Sequence, residues 1–174
     1  MAKVMDRIRE DETYRKYRRV IRTIADDVDM DKLLDEAQGL FRTRKSRALY
    51  GKRPGATDLY EVQQQEMMVR TRLAEMSAQI HLKIGMVERA NKTIKNHLIA
   101  EYGVALKEYS ATAADRTAII QSKLRGGISL LDRLETGVKV LDMLIKDLDQ
   151  SGYGLRNSID ILKLLLGRPG QTEL

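Results

Sequence analysis

The sequence has no cysteine and no tryptophan, and its 174 residues include only two prolines and one phenylalanine. Without cysteine there is no disulfide framework, no thiolate nucleophile and no thiolate metal site, which sets aside stapled secreted scaffolds and zinc ribbons. With so little proline, helices can run far without a built-in stop. No apolar run reaches the ~18 residues that a membrane span needs, and the opening MAKVMDRIRE is charged where a signal peptide would be apolar. The expectation is a cytoplasmic protein with no membrane contact. Chemistry-bearing patterns are also missing. The two histidines, His81 and His97, have no carboxylate partner at ligand spacing, and Gly51-Lys52 follows no GxxxxG, so the sequence implies no metal, no cofactor and no catalytic residue.

What is present in quantity is charge. The formal net charge is +6, and up to Thr57 there are 15 Lys/Arg against 10 Asp/Glu, whereas the rest is nearly balanced at 16 against 15. Basic density peaks in YRKYRRVIR, where Arg15, Lys16, Arg18, Arg19 and Arg22 stand beside Tyr14 and Tyr17. It peaks again in FRTRKSRALYGKRPG, where Arg42, Arg44, Lys45, Arg47, Lys52 and Arg53 meet no acid before Asp58. The first peak follows Glu10, Asp11 and Glu12 and reads equally as a solvated helix face. The second is the stronger candidate for a polyanion surface, because like charges without interspersed acid repel one another until a partner neutralises them.

Everything along the chain reads as helix. One helix is expected over residues 4–25, stopping at DDVDMD, and a second, capped by Asp29 or Asp31, up to Gly51. GKRPGATD is a break. Asp58 and Glu61, at capping-box spacing, then open a long helix with no stop before Gly103. Its apolar positions Val62, Val69, Leu73, Met76, Ile80, Val87, Ile94 and Leu98 step by threes, fours and sevens, with Asn91 inside the same seam. Ser110 or Thr112 can cap another long helix, in which Ile120, Leu124, Gly127, Leu131, Leu134, Val138, Leu141, Ile145 and Leu148 keep a four-three alternation. Two such helices joined by a short link predict an antiparallel hairpin. Gly126-Gly127 interrupts the second one and points to a kink or a close crossing of another backbone.

At Ser151-Gly152-Tyr153-Gly154 the seam ends, and a turn is expected, with the glycines supplying positive φ or close approach and Tyr153 held outward. The last helix, from Leu155, is apolar nearly all round: Leu155, Ile159, Leu162 and Leu166 form one stripe, and Ile161, Leu164 and Leu165 lie on others. A hairpin cannot cover all of them, so self-association through Gly152, Tyr153, Gly154 and that stripe is expected. The fold class is therefore all-α: a long antiparallel helical hairpin (58–150) with basic N-terminal helices (1–57) and a short C-terminal oligomerisation helix and tail (151–174).

The C-terminal pattern SGYGLRNSIDILKLLLG, on a two-helix body with basic helical residues, resembles the UvsY-type recombination mediators of tailed bacteriophages. The resemblance covers residues 88–167, and DMDKLLDEAQGL, residues 29–40, is similar to that family's opening helix. It implies a homo-oligomeric ring that binds single-stranded DNA in a host cell's cytoplasm. Its implied partners are the phage single-strand-binding protein and the RecA-like phage recombinase, which it helps to load in recombination, repair and replication. The family's DNA-binding motif places two basic residues two apart, ahead of two aromatic ones. In TIKNHLIAEYG, Lys95 matches the first, His97 stands at the second, and Tyr102 alone remains of the aromatic pair. Arg89 and Lys92, on neighbouring helical positions, can supply the missing charge. With Lys95 and the six cations of the second basic peak they make up the expected phosphate path. A ring-forming structural, morphogenesis or DNA-packaging subunit shares the heptads and the apolar end, and is the alternative.

Overall fold

The computed structural model describes residues 2–44, 54–109 and 112–166. These form five helices and no strand: α1 (Ala2–Glu10), α2 (Glu12–Asp27), α3 (Met30–Arg42), α4 (Ala56–Tyr109) and α5 (Ala113–Leu166). α4 and α5 pack against each other as a helical hairpin, so the all-α expectation holds. The chain divides into two compact units, Met1–Met30 with Gln79–Val138, and Asp31–Ala78 with Lys139–Leu174.

In the first unit α2 lays a single apolar stripe inward. Tyr14, Tyr17, Ile21 and Ile24, spaced by threes and fours, are buried, which leaves the intervening cations of YRKYRRVIR exposed. Val4 and Ile8 of α1 join them, against Ile80, Val87, Ile94 and Leu98 of α4 and Ile120, Leu124, Leu134 and Val138 of α5. Residues 4–25 are not the one helix expected from their composition. Asp11 breaks it, because its side chain accepts the Tyr14 N–H at 2.8 Å and its own backbone is extended, the arrangement of an N-cap. Near the other end of this unit the Met30 side chain packs onto Gly137, where any Cβ would displace it.

The second unit shows the antiparallel register directly. As the number falls along α4 through Ser77, Arg70, Glu66 and Tyr60, their partners on α5 rise through Asp142, Asp149, Ser151 and Lys163. α3 is held to α4 by the Arg72 guanidinium, which donates to Glu36 at 3.0 Å, and it buries Ala37 completely.

Helix ends follow local chemistry, with shifts from the expected positions. α4 begins at Ala56, two residues before Asp58, whose carboxylate reaches back to the Gly55 N–H at 2.9 Å. It runs past Gly103 to Tyr109, because Tyr102 and Leu106 are buried on either side of that glycine and carry the helix through it. Thr112 caps α5 by accepting the Asp115 N–H at 3.1 Å. The turn expected at 151–154 does not exist: α5 is continuous through it. Nothing lies within 4 Å of a Cβ built at Gly152 or Gly154, and neither has positive φ. Buried Leu148 before and buried Ile159 after keep one face in the core of the second unit, and that burial outweighs the ~1 kcal/mol that each glycine costs a helix.

Candidate nucleic-acid interface and self-association surface

Every apolar seam position named on α4 is buried, and the expected phosphate contacts on that helix lie between them. Arg89, Lys92 and Lys95 are all exposed on α4. Among the described residues none of the three has a carboxylate within ion-pair distance; Arg89 donates only to the Gly85 carbonyl at 3.0 Å. The aromatic part of the motif is arranged differently. Tyr102 is buried, and its hydroxyl donates to Asp11 Oδ2 at 2.9 Å, while His97 Nε2 lies 2.9 Å from the same oxygen. The two residues that the resemblance would put in contact with DNA therefore serve the cap of α2, with the Tyr102 ring buried and His97 half-buried. Burial of the Asp11 carboxyl pushes its pKa up, but the hydrogen bonds from His97, the Tyr14 N–H and Tyr102 outweigh that and hold it below the usual range.

The second basic peak lies mostly outside the described residues: Lys45, Arg47, Lys52 and Arg53 are among those not described. Arg42 is exposed at the last position of α3 and donates to Gln38 at 3.4 Å. Arg44 folds back on that helix end, with its guanidinium 3.6 Å from the Phe41 ring centroid and its Nε donating to the Phe41 carbonyl at 2.9 Å.

On the first basic peak, Lys16 pairs with Glu12 at 2.9 Å and Arg22 with Asp26 at 3.9 Å, along the helix. Arg15 turns elsewhere. Arg15 donates to the carbonyl of Arg9 at 3.4 Å, and Tyr14, one turn before Arg18, donates to the carbonyl of Lys123 at 3.2 Å. These bonds join α2 to the end of α1 and to the turn of α5 that carries Lys123, whose ammonium is held below the usual lysine range by burial and then by the charges of Arg9 and Arg18. Sequence reasoning did not single out Arg9 or Lys123, and no local signal marks them, since the two lie on elements far apart in the chain.

The C-terminal part of α5 separates the two apolar groups that the sequence grouped as one sticky helix. Ile159 is buried at 4% exposure, while Leu155 and Leu162, of the same stripe, are half-buried. The uncovered residues are its neighbours: Ile161, Leu164 and Leu165 at 57%, 72% and 65%, with Tyr153 at 67%. The Leu166 side chain lies outside the described set. Gly152 and Tyr153 help to line an open groove with Glu66, Arg70 and Asp149. There Arg70 donates to both oxygens of Asp149, and Ser151 donates to buried Glu66 at 3.2 Å.

Among the described residues no three His, Asp or Glu side chains form a group that could hold a metal, and no helix is long and apolar enough to cross a membrane. No protein-family model matches the chain, and neither a curated protein nor a solved structure is significantly similar to it.

Proposed function

We propose that the protein is a non-catalytic, self-associating binder of single-stranded DNA. It acts as a recombination mediator, helping a RecA-like phage recombinase to take the place of the single-strand-binding protein. The observation that supports this reading most is the row Arg89, Lys92 and Lys95: exposed, on one long rigid helix, and without ion-pair partners among the described residues. Such a row meets a sugar-phosphate backbone without reading bases, as a sequence-indifferent mediator requires. The open face at Ile161, Leu164 and Leu165 supports the self-association half, since a ring multiplies weak sites by avidity. That open face serves a ring-forming structural or packaging subunit equally well, and the DNA experiment separates the two.

The test is titration of the parent chain with single- and double-stranded oligonucleotides over a range of salt, beside native mass spectrometry. A mediator prefers the single strand, and its log affinity falls linearly with log salt. Neutralising Arg89, Lys92 and Lys95 together should flatten that line by about 2, at ~0.7 per contact. A parent chain that binds neither strand removes the mediator reading and leaves the structural one.

A further inference from the structure

In the second unit α4 and α5 line an open groove of about 410 Å³, within the size range of small-ligand sites. Buried Leu148 and exposed Met67 give it an apolar part. Four charged side chains also line it, Glu66 and Arg70 from α4 and Asp149 and Arg156 from α5. Two of them satisfy each other, since the Arg70 guanidinium donates to both oxygens of Asp149. The other two are left over. Glu66 is only 4% exposed, and while its Oε1 accepts the Ser151 hydroxyl, its Oε2 has no hydrogen-bond partner. A buried carboxylate oxygen without a donor destabilises a fold, and nearly all buried polar atoms in proteins are matched. Arg156 has no carboxylate within ion-pair distance among the described residues, and its guanidinium stands 6.0 Å from the centroid of the exposed Tyr153 ring. Gly152 lines the same groove without a side chain, and a Cβ built there meets nothing within 4 Å, so the protein itself leaves that space open.

We propose that this groove binds a small aliphatic zwitterion, whose ammonium donates to Glu66 Oε2 and whose carboxylate meets Arg156, with the carbon chain against Leu148 and Met67. The leftover groups are one acid and one base, so a ligand with one charge of each sign complements both. An ammonium suits Glu66 better than a guanidinium does. Oε1 is already taken, and a planar fork needs two free oxygens, whereas a compact ammonium needs one and has a further proton for the Ser151 oxygen. A metal ion is the poorer match, because Arg70 holds Asp149 and no three His, Asp or Glu side chains group together among the described residues. The site uses no residue of the α4 row and does not depend on the DNA-binding reading.

The experiment combines calorimetric titration with thermal shift on the full chain. The probes are the ω-amino acids from β-alanine to ε-aminocaproate, with n-butylamine and butyrate as carriers of one charge alone. At least one ω-amino acid should raise the thermal midpoint with increasing concentration, and should bind at least about tenfold more tightly than either single-charge probe. Glu66→Gln keeps the shape of the side chain and an acceptor for Ser151, so the chain should fold and lose at least about tenfold in affinity; Arg156→Gln should lose a similar factor. Gly152→Leu leaves both charged groups in place and fills the groove, so it should keep full helix content and abolish binding. A parent chain that binds no ω-amino acid overturns the proposal, as does one that takes n-butylamine or butyrate equally well. Affinity retained by any of the three variants puts the ligand elsewhere and overturns it too.

Discussion

A methyl group added at Gly127 would meet the Asn91 amide oxygen and the Tyr17 hydroxyl, whereas at Gly126 it would meet nothing within 4 Å. The Tyr17 hydroxyl donates to Asn91 at 2.8 Å, so the absent side chain of Gly127 is what lets α2, α4 and α5 converge on one hydrogen bond. Gly127→Ala should therefore destabilise by roughly 1–3 kcal/mol, through overpacking and the displaced bond. Gly126→Ala should stabilise by up to ~1 kcal/mol through helix propensity alone. Urea midpoints of the two variants decide this, and a midpoint for Gly127→Ala at or above the parent's would refute it. Tyr17 itself carries a pH signature, because burial pushes its phenol from 10.0 up to about 12. Between those values the folded chain keeps a proton that the unfolded chain has lost. Stability should thus fall as pH rises through that window, by at most about 3 kcal/mol from this group. Tyr17→Phe should lose that part of the alkaline slope, as read from denaturation at stepped pH.

At the level of elements, Asp11 divides what would otherwise be one helix, and fastens the division to α4. Its carboxylate accepts the Tyr14 N–H, the Tyr102 hydroxyl and a contact from His97, so Asp11→Ala removes a cap and orphans two half-buried or buried polar groups. The expected loss is about 2–3 kcal/mol, of which Asn, still able to cap, should restore about 1. With its folded pKa lowered, Asp11 contributes stability that is fully present above its unfolded value and lost as pH falls through the folded one. Asp11→Asn should accordingly flatten the acid limb of the stability profile. The last turns of α5 give the converse case, since Gly152 and Gly154 divide nothing. Their replacement by Ala should raise stability by up to ~1 kcal/mol each, with the sedimentation profile unchanged. A shifted size distribution would restore to these glycines a role in assembly.

At the scale of the whole molecule, the question is which apolar residues the chain leaves for another copy. Leu164 and Leu165 are exposed, so replacing both with Gln should leave helix content and thermal midpoint nearly as they were, while shifting the native mass spectrum to smaller species. Ile159→Gln tests the other stripe. That side chain is buried, so the substitution should lower stability by about 2–4 kcal/mol, as expected for a core residue. Leu164→Gln, Leu165→Gln chains that keep the parental mass would show that association, where it occurs, uses a different face.

The sequence alone determined the all-α class and the seam of α4, because a seam is a local periodicity. Val62, Val69, Leu73, Met76, Ile80, Val87, Ile94 and Leu98 were legible as one face from their spacing, and all are buried. It also marked Asn91 in that seam and Gly127 in the seam of α5 as irregular members, though not the Tyr17 hydroxyl that meets both. Tertiary structure decided what spacing leaves open. In a helix apolar nearly all round, periodicity cannot choose a face, and only packing in the second unit turned Ile159 inward and Leu164 and Leu165 outward. Glycines that promised a turn were carried through by the buried residues around them. Tyr102 and His97, which a motif would place at DNA, were drawn to a carboxylate 91 and 86 positions away. The bond from the Tyr14 hydroxyl to the Lys123 carbonyl is equally non-local: residues 109 positions apart meet only after α2 and α5 have packed.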